Sequence, residues 1–137
     1  TMAELSDDIR ALFEAQNFGH VATVLPDGSP HTVPVWVGLE GERVAFFTQE
    51  GSQKAKNLER DPRCAISITD GENPYRSARV RGRVVDKLTG DAAREVMDRI
   101  ARRYTGEAFP MRSGVVFVIE PERVGFMELP FRHTPPA

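Results

Sequence analysis

The chain has 137 residues, 40% of them hydrophobic and 28% charged, which suits one domain over residues 1–137 with an ordinary core and leaves no room for a second. Its formal net charge of −2 removes any bulk electrostatic case for nucleic acid or a membrane surface as partner. The single cysteine, Cys64, excludes an internal disulfide and a multi-cysteine metal site; set in an apolar alternation, it is expected to be a buried structural thiol.

In chain order, Ser6 is placed to cap a first helix, with Asp7 and Asp8 at its positive end and Ile9, Leu12 and Phe13 at core-facing spacing. Residues 20–25 read as a strand, Pro26, Asp27 and Gly28 as a turn, and residues 32–38 as the returning strand of a hairpin. Pro34 has no N–H to give a ladder, so it belongs at an edge, at a bulge or where the backbone faces a ligand. A third strand follows at 43–48, then a short helix that stops at Pro62, a fourth strand at 64–69 and a loop through Gly71 and Pro74. Residues 78–87 form a long strand, and residues 91–104 a helix whose Ala93, Val96, Met97, Ile100 and Tyr104 make one apolar stripe. Closing strands are expected at 114–119 and 123–128. This succession argues for a mainly β chain, a small six-stranded antiparallel barrel with short flanking helices, rather than a parallel nucleotide-binding sheet. No signal-peptide pattern and no apolar run of about 18 residues occurs, so a soluble cytoplasmic protein is expected.

Residues 48–57 (TQEGSQKAKN) combine a strand end, a glycine and a helix start. Ser52 at the N-cap offers a hydroxyl, the amides of Gln53 and Lys54 are free in the first turn, and the helix dipole adds partial positive charge. The Lys54 ammonium and the Thr48 hydroxyl would complete a cradle for a phosphate monoester. The same residues also make an ordinary capped helix with surface lysines, and the segment alone does not choose between the two.

The succession ATVLPDGSPHTVPVWV, FFTQEGSQKAKNLERDPRCAI and RVRGRV closely resembles the pyridoxamine-phosphate-oxidase-like split-barrel family, and most of all its branch that binds the deazaflavin coenzyme F420. The likeness runs in order from Phe18 to Val85 and, more loosely, through IARRYTG. It implies a six-stranded split barrel that forms a homodimer with the cofactor ring in a groove between subunits. It also implies phosphate contacts from Thr48, Ser52, Lys54 and Asn57, with the ring packed against Val33, Pro34, Val35 and Trp36. Relatives that hold FMN usually carry an arginine on the second strand, and HTVPVWV has none.

Coenzyme F420 adds an oligoglutamate tail that calls for positive charge. Strand alternation puts Arg79, Arg81 and Arg83 on one face and Val80, Gly82 and Val84 on the other. Like charges so spaced need a polyanion or interleaved carboxylates; a solvated outer face with acidic neighbours is the plain alternative. Tyr75, Arg76 and Ser77, just before the stripe, join Gln53, Arg79 and Arg81 in the expected cofactor-binding set.

His20, His31 and His133 are too scattered for a metal site, and no nucleophile–base arrangement or Gly-rich phosphate signature occurs. Reactivity must then come from the cofactor, and no catalytic residue is assigned; Tyr75 or an arginine-bound water could give a proton. The resulting expectation is a reductase in which reduced F420 passes a hydride to an unsaturated or carbonyl-like organic substrate. An FMN-binding oxidase or flavin reductase of the same fold and a non-catalytic cofactor carrier remain as alternatives.

Overall fold

The computed structural model describes residues 2–111, 113–134 and 136. Ser6 caps α1 (Asp7–Glu14) by accepting the Ile9 amide at 3.3 Å, and Ile9, Leu12 and Phe13 turn into the core. A hairpin of β1 (Gly19–Val24) and β2 (Pro30–Val35) is followed by β3 (Val37–Glu40) and β4 (Arg43–Thr48). Then come α2 (Gln53–Arg60), β5 (Arg63–Thr69), β6 (Arg76–Leu88), α3 (Gly90–Thr105) and β7 (Val115–Glu128).

All strand pairs are antiparallel, in the order β2-β1-β5-β6-β7-β4-β3. Three expectations are corrected. The sheet has seven strands, its ladder open between β2 and β3, where a six-stranded split barrel was expected. The single strand expected at 32–38 breaks at Trp36, because the chain there leaves one edge of the sheet and starts the other. The two closing strands are one 14-residue strand, since Pro121 sits where the register shifts opposite Gly82 and a bulge absorbs its missing N–H. The two edges, one residue apart in sequence, bring the sheet round on itself as a split barrel.

Inward side chains from every strand, among them Val21, Val35, Val44, Phe46, Ile66, Val80 and Phe117, fill one core with α1 and α2 at its ends. On the outer face of β4 and β7, Ala45, Val116 and Val118 pack under Ala93, Val96, Met97 and Ile100 of α3. Residues 115–119 are therefore buried on both faces, which is why they read as an unbroken apolar run.

Candidate cofactor and substrate site

The loop into α2 turns at Gly51, whose φ of 80° suits glycine. Ser52 Oγ accepts the Ala55 amide at 3.2 Å and the Thr48 hydroxyl at 3.0 Å. Thr48 thus stands behind the serine, and its hydroxyl is already engaged. Lys54 is half-buried, its ammonium pKa lowered by desolvation, and it has no ion pair among the described residues. A half-buried cation without a counter-charge is a condition that an arriving phosphate would relieve.

Asn57, expected on the phosphate, lies in the interior with 0% exposure. Its Nδ2 donates to Thr23 Oγ1 at 2.9 Å and its Oδ1 accepts from Gln53 Nε2 at 2.8 Å, so it clamps α2 to β1. One helical turn beyond Lys54, it falls on the buried stripe with Ala55 and Leu58.

The expected ring-packing residues divide by strand alternation. Val33 sends its side chain against the inner core, while Pro34 and Trp36 face outward. As an edge strand β2 keeps one side of its backbone unpaired, the position a proline tolerates. Beside it is a slot of about 270 Å³ lined by Phe18, Pro34, Val35, Trp36, Phe47 and Phe109. Trp36 stacks on Tyr104 with centroids 5.1 Å apart and planes 7° from parallel, and Phe18 also stacks on Tyr104 at 6.1 Å. The Tyr104 hydroxyl donates to the Asn17 carbonyl at 2.5 Å and accepts the Val37 amide at 3.2 Å, tying the start of β1 to the start of β3. Arg103 adds a bond to the Val37 carbonyl.

Register carries this outer face across the sheet. Pro34 pairs with His20, His20 with Ser67, Ser67 with Arg79, and Arg79 with Gly125. Paired residues share a face, so Pro34 and Arg79 stand on one surface, three strand spacings or about 14 Å apart. In the next row Thr32, Ala22, Ala65, Arg81 and Arg123 follow one another. Arg79, Arg81, Arg123 and Val124 enclose a groove of about 450 Å³. Of the expected arginine stripe, Arg83 is paired with Glu122 at 3.0 Å, whereas Arg79, Arg81 and Arg123 have no ion pair among the described residues. Gly125 leaves room for Arg79 to lie flat, since a Cβ there would fall 2.5 Å from its guanidinium carbon.

The neighbouring expectations fare differently. Arg76 is committed within the chain, to Glu128 at 2.9 Å, Asp70 at 3.5 Å and Asp8 at 3.6 Å, and so is a structural hub. Tyr75 packs against Phe131 and His133 of the C-terminal segment, and Ser77 is half-buried opposite Thr69 and Met127. Cys64 is buried, and burial foremost, then the Glu122 charge, pushes its thiol pKa up to about 12, which keeps it un-ionised at neutral pH. Among the described residues no group of three or more His, Cys, Asp or Glu is placed to hold a metal ion, and no helix is long and apolar enough to cross a membrane.

Sequence reasoning missed Phe18, Phe47, Phe109, Tyr104 and Arg123. A signal existed for Phe47: of two adjacent strand aromatics, one must face outward. Arg123 gave none, because its place opposite Arg81 is set by a long-range register.

The chain thus combines an antiparallel split barrel, a half-buried lysine without an ion pair at a helix start and an aromatic slot on its edge strand. A family model described as Pyridoxamine 5'-phosphate oxidase matches residues 5–128, and the chain belongs to that family of oxidoreductases. A solved structure called F420 Reductase is 31% identical, covers 88% of this chain and 98% of its own, and superposes with a TM-score of 0.78. The conserved hypothetical protein Rv2991 of Mycobacterium tuberculosis (24% identity, 99% and 95% coverage, TM-score 0.80) shares the fold. So does HupZ of Group A Streptococcus (20%, 90% and 94%, TM-score 0.69). No curated protein sequence matches the chain.

Proposed function

We propose that this protein is an oxidoreductase that uses reduced coenzyme F420 to transfer a hydride to an unsaturated or carbonyl-like organic molecule. The observation that carries the choice of cofactor is the uncompensated triad Arg79, Arg81 and Arg123, on the same sheet surface as Pro34. FMN ends at its phosphate and has no use for such a surface; a cofactor with a carboxylate tail does. The 31% identity to a protein called F420 Reductase supports the same reading.

When bound, the deazaflavin supplies the hydride chemistry. The chain's own residues position and shield it. Ser52, Gln53 and Lys54 would hold the phosphate at the start of α2, with Thr48 orienting the Ser52 hydroxyl. The outer side of Pro34 and Trp36 would fix the plane of the ring, Trp36 being immobilised by Tyr104. The arginines would orient the tail. A homodimer whose second copy covers this outer face, excluding water from the ring, is part of the proposal.

Titration of the purified protein with F420 and with FMN, read by quenching of Trp36, the sole tryptophan, tests the reading. F420 should bind more tightly, and Arg81→Ala with Arg123→Ala should weaken F420 at least tenfold while leaving FMN unaffected. Tighter binding of FMN would sink the proposal and favour a flavin oxidase.

A further inference from the structure

Hydride transfer to an unsaturated or carbonyl carbon leaves negative charge on a neighbouring atom, and a proton must reach that charge for the product to form. Tyr75 is badly placed to give it: the residue precedes β6, three strands from Pro34, and its ring is turned into Phe131 at 5.5 Å and His133 at 6.0 Å. Histidine is the side chain that holds a transferable proton near neutral pH, and the three in this chain lie in different places. His133 packs on Tyr75. His31 shares the inward side of β2 with Val33 and Val35, and its Nδ1 is buried. His20 is exposed, at an outward position of β1 between the buried Gly19 and Val21. The ladder sets it directly opposite Pro34, and directly opposed residues on one face have Cβ atoms about 5 Å apart. Its imidazole has no hydrogen bond or ion pair among the described residues.

The surroundings of His20 leave that proton free. Its cross-strand neighbours on the outer face are Thr32, Pro34 and Trp36 of β2 and Ala65, Ser67 and Thr69 of β5, none of them charged. The first charged group along the row is Arg79, two strands away. The helix α2, with Lys54, Lys56, Glu59 and Arg60, meets β1 through Asn57 on the inward Thr23 and through Arg60 on the Val24 carbonyl, at the far end of the strand. No carboxylate in these rows competes for the imidazole N–H with an anion forming beside Pro34.

We infer that His20 is the catalytic acid that gives the hydride acceptor its proton. The inference rests on the cofactor reading above, which lays the ring on the outer side of Pro34 and Trp36. With an enone as acceptor, the β carbon takes the hydride from the reduced cofactor and the C=C electron pair shifts onto the carbonyl as an enolate. The His20 imidazolium then breaks an N–H bond and gives that proton to the α carbon. With a carbonyl acceptor the proton goes to the oxygen. The ring proton that the oxidised cofactor no longer holds passes to water, and water reprotonates His20.

Proton NMR of the intact protein reads the Cε1–H signals of its three histidines, that of His20 being identified by its loss in His20→Asn. Saturating F420 should shift the His20 signal. With reduced F420 and 2-cyclohexen-1-one as the acceptor probe, kcat should fall as pH rises through the titration of that signal, because only the protonated imidazole donates. His20→Asn and His20→Gln, two variants at an exposed position so that a folding failure in one leaves the other, should bind F420 as the unmodified protein does, by quenching of Trp36. Both should lower kcat roughly a hundredfold, leave KM for the enone within about threefold and flatten the pH profile. A His20 signal that F420 leaves in place, a pH profile retained in the variants, or an unchanged kcat overturns the inference. Binding of F420 with no reduction of the enone overturns the donor role and leaves the cofactor reading standing. A protein that takes up FMN and not F420 ends the F420 reading instead; a His20 signal that FMN shifts then supports the imidazole at the ring, and one that it does not shift overturns both.

Discussion

Lys54 and Asn57 lie three residues apart in the same helix and have opposite duties. Burial lowers the Lys54 pKa below its usual value, so the cation is held at a disadvantage until an anion arrives. Folding to a lowered lysine pKa costs stability at neutral pH, a cost that vanishes above the unfolded lysine pKa. Lys54→Met should therefore leave the cofactor-free Tm unchanged or raised while weakening cofactor binding by about 1.5 to 3 kcal/mol, measured by titration. In the unmodified protein, affinity should be full at neutral pH and decline as pH rises through the Lys54 pKa, earlier than for an ordinary lysine. Asn57→Ala should act on stability: the Thr23 hydroxyl and Gln53 amide lose their buried partner, costing about 2 kcal/mol in the urea midpoint at constant m.

The bulge between β6 and β7 is the clearest case of an element imposing its requirement on one residue. Gly82 lies so close to the facing strand that an added Cβ would fall 2.0 Å from the Glu120 carbonyl oxygen and 3.2 Å from Pro121 Cα. Both neighbours are backbone, so the strands must part. Gly82→Ala should cost about 3 kcal/mol in chemical denaturation, and because Arg81 and Arg123 flank the bulge it should also weaken F420 more than FMN. At the same scale, β2 and β3 were legible only as one strand, since nothing in HTVPVWVGL marks Trp36 as the point where the chain passes between the two sheet edges. The helices were read more closely: α3 runs Gly90–Thr105 against an expected 91–104, because its apolar stripe and the Gly106 cap at φ 82° are local signals.

Over the whole molecule the charges nearly cancel, at −2, yet Arg79, Arg81 and Arg123 gather on one face with Arg81 directly opposite Arg123. Like charges opposed across a ladder destabilise a sheet and attract anions. F420 affinity should therefore fall steeply as NaCl rises from 50 to 500 mM while FMN affinity falls less, a comparison made by titration at each salt concentration. Equal salt slopes would remove the arginine face from the site.

What the sequence alone determined is what depends on neighbours along the chain: the antiparallel, mainly β character, the caps at Ser6 and Ser52, the helix stripes, the alternation that puts the arginines on one face and, through resemblance, the family. Tertiary structure decided what depends on register and curvature. It buried Asn57 between α2 and β1 and paired Arg76 with three carboxylates. It brought Phe18, Phe47, Tyr104 and Phe109 around Trp36 from four separate segments, and set Arg123 beside Arg81 across the β6–β7 ladder. Side-chain periodicity says which way a residue points, but only the pairing of distant strands says what it meets there.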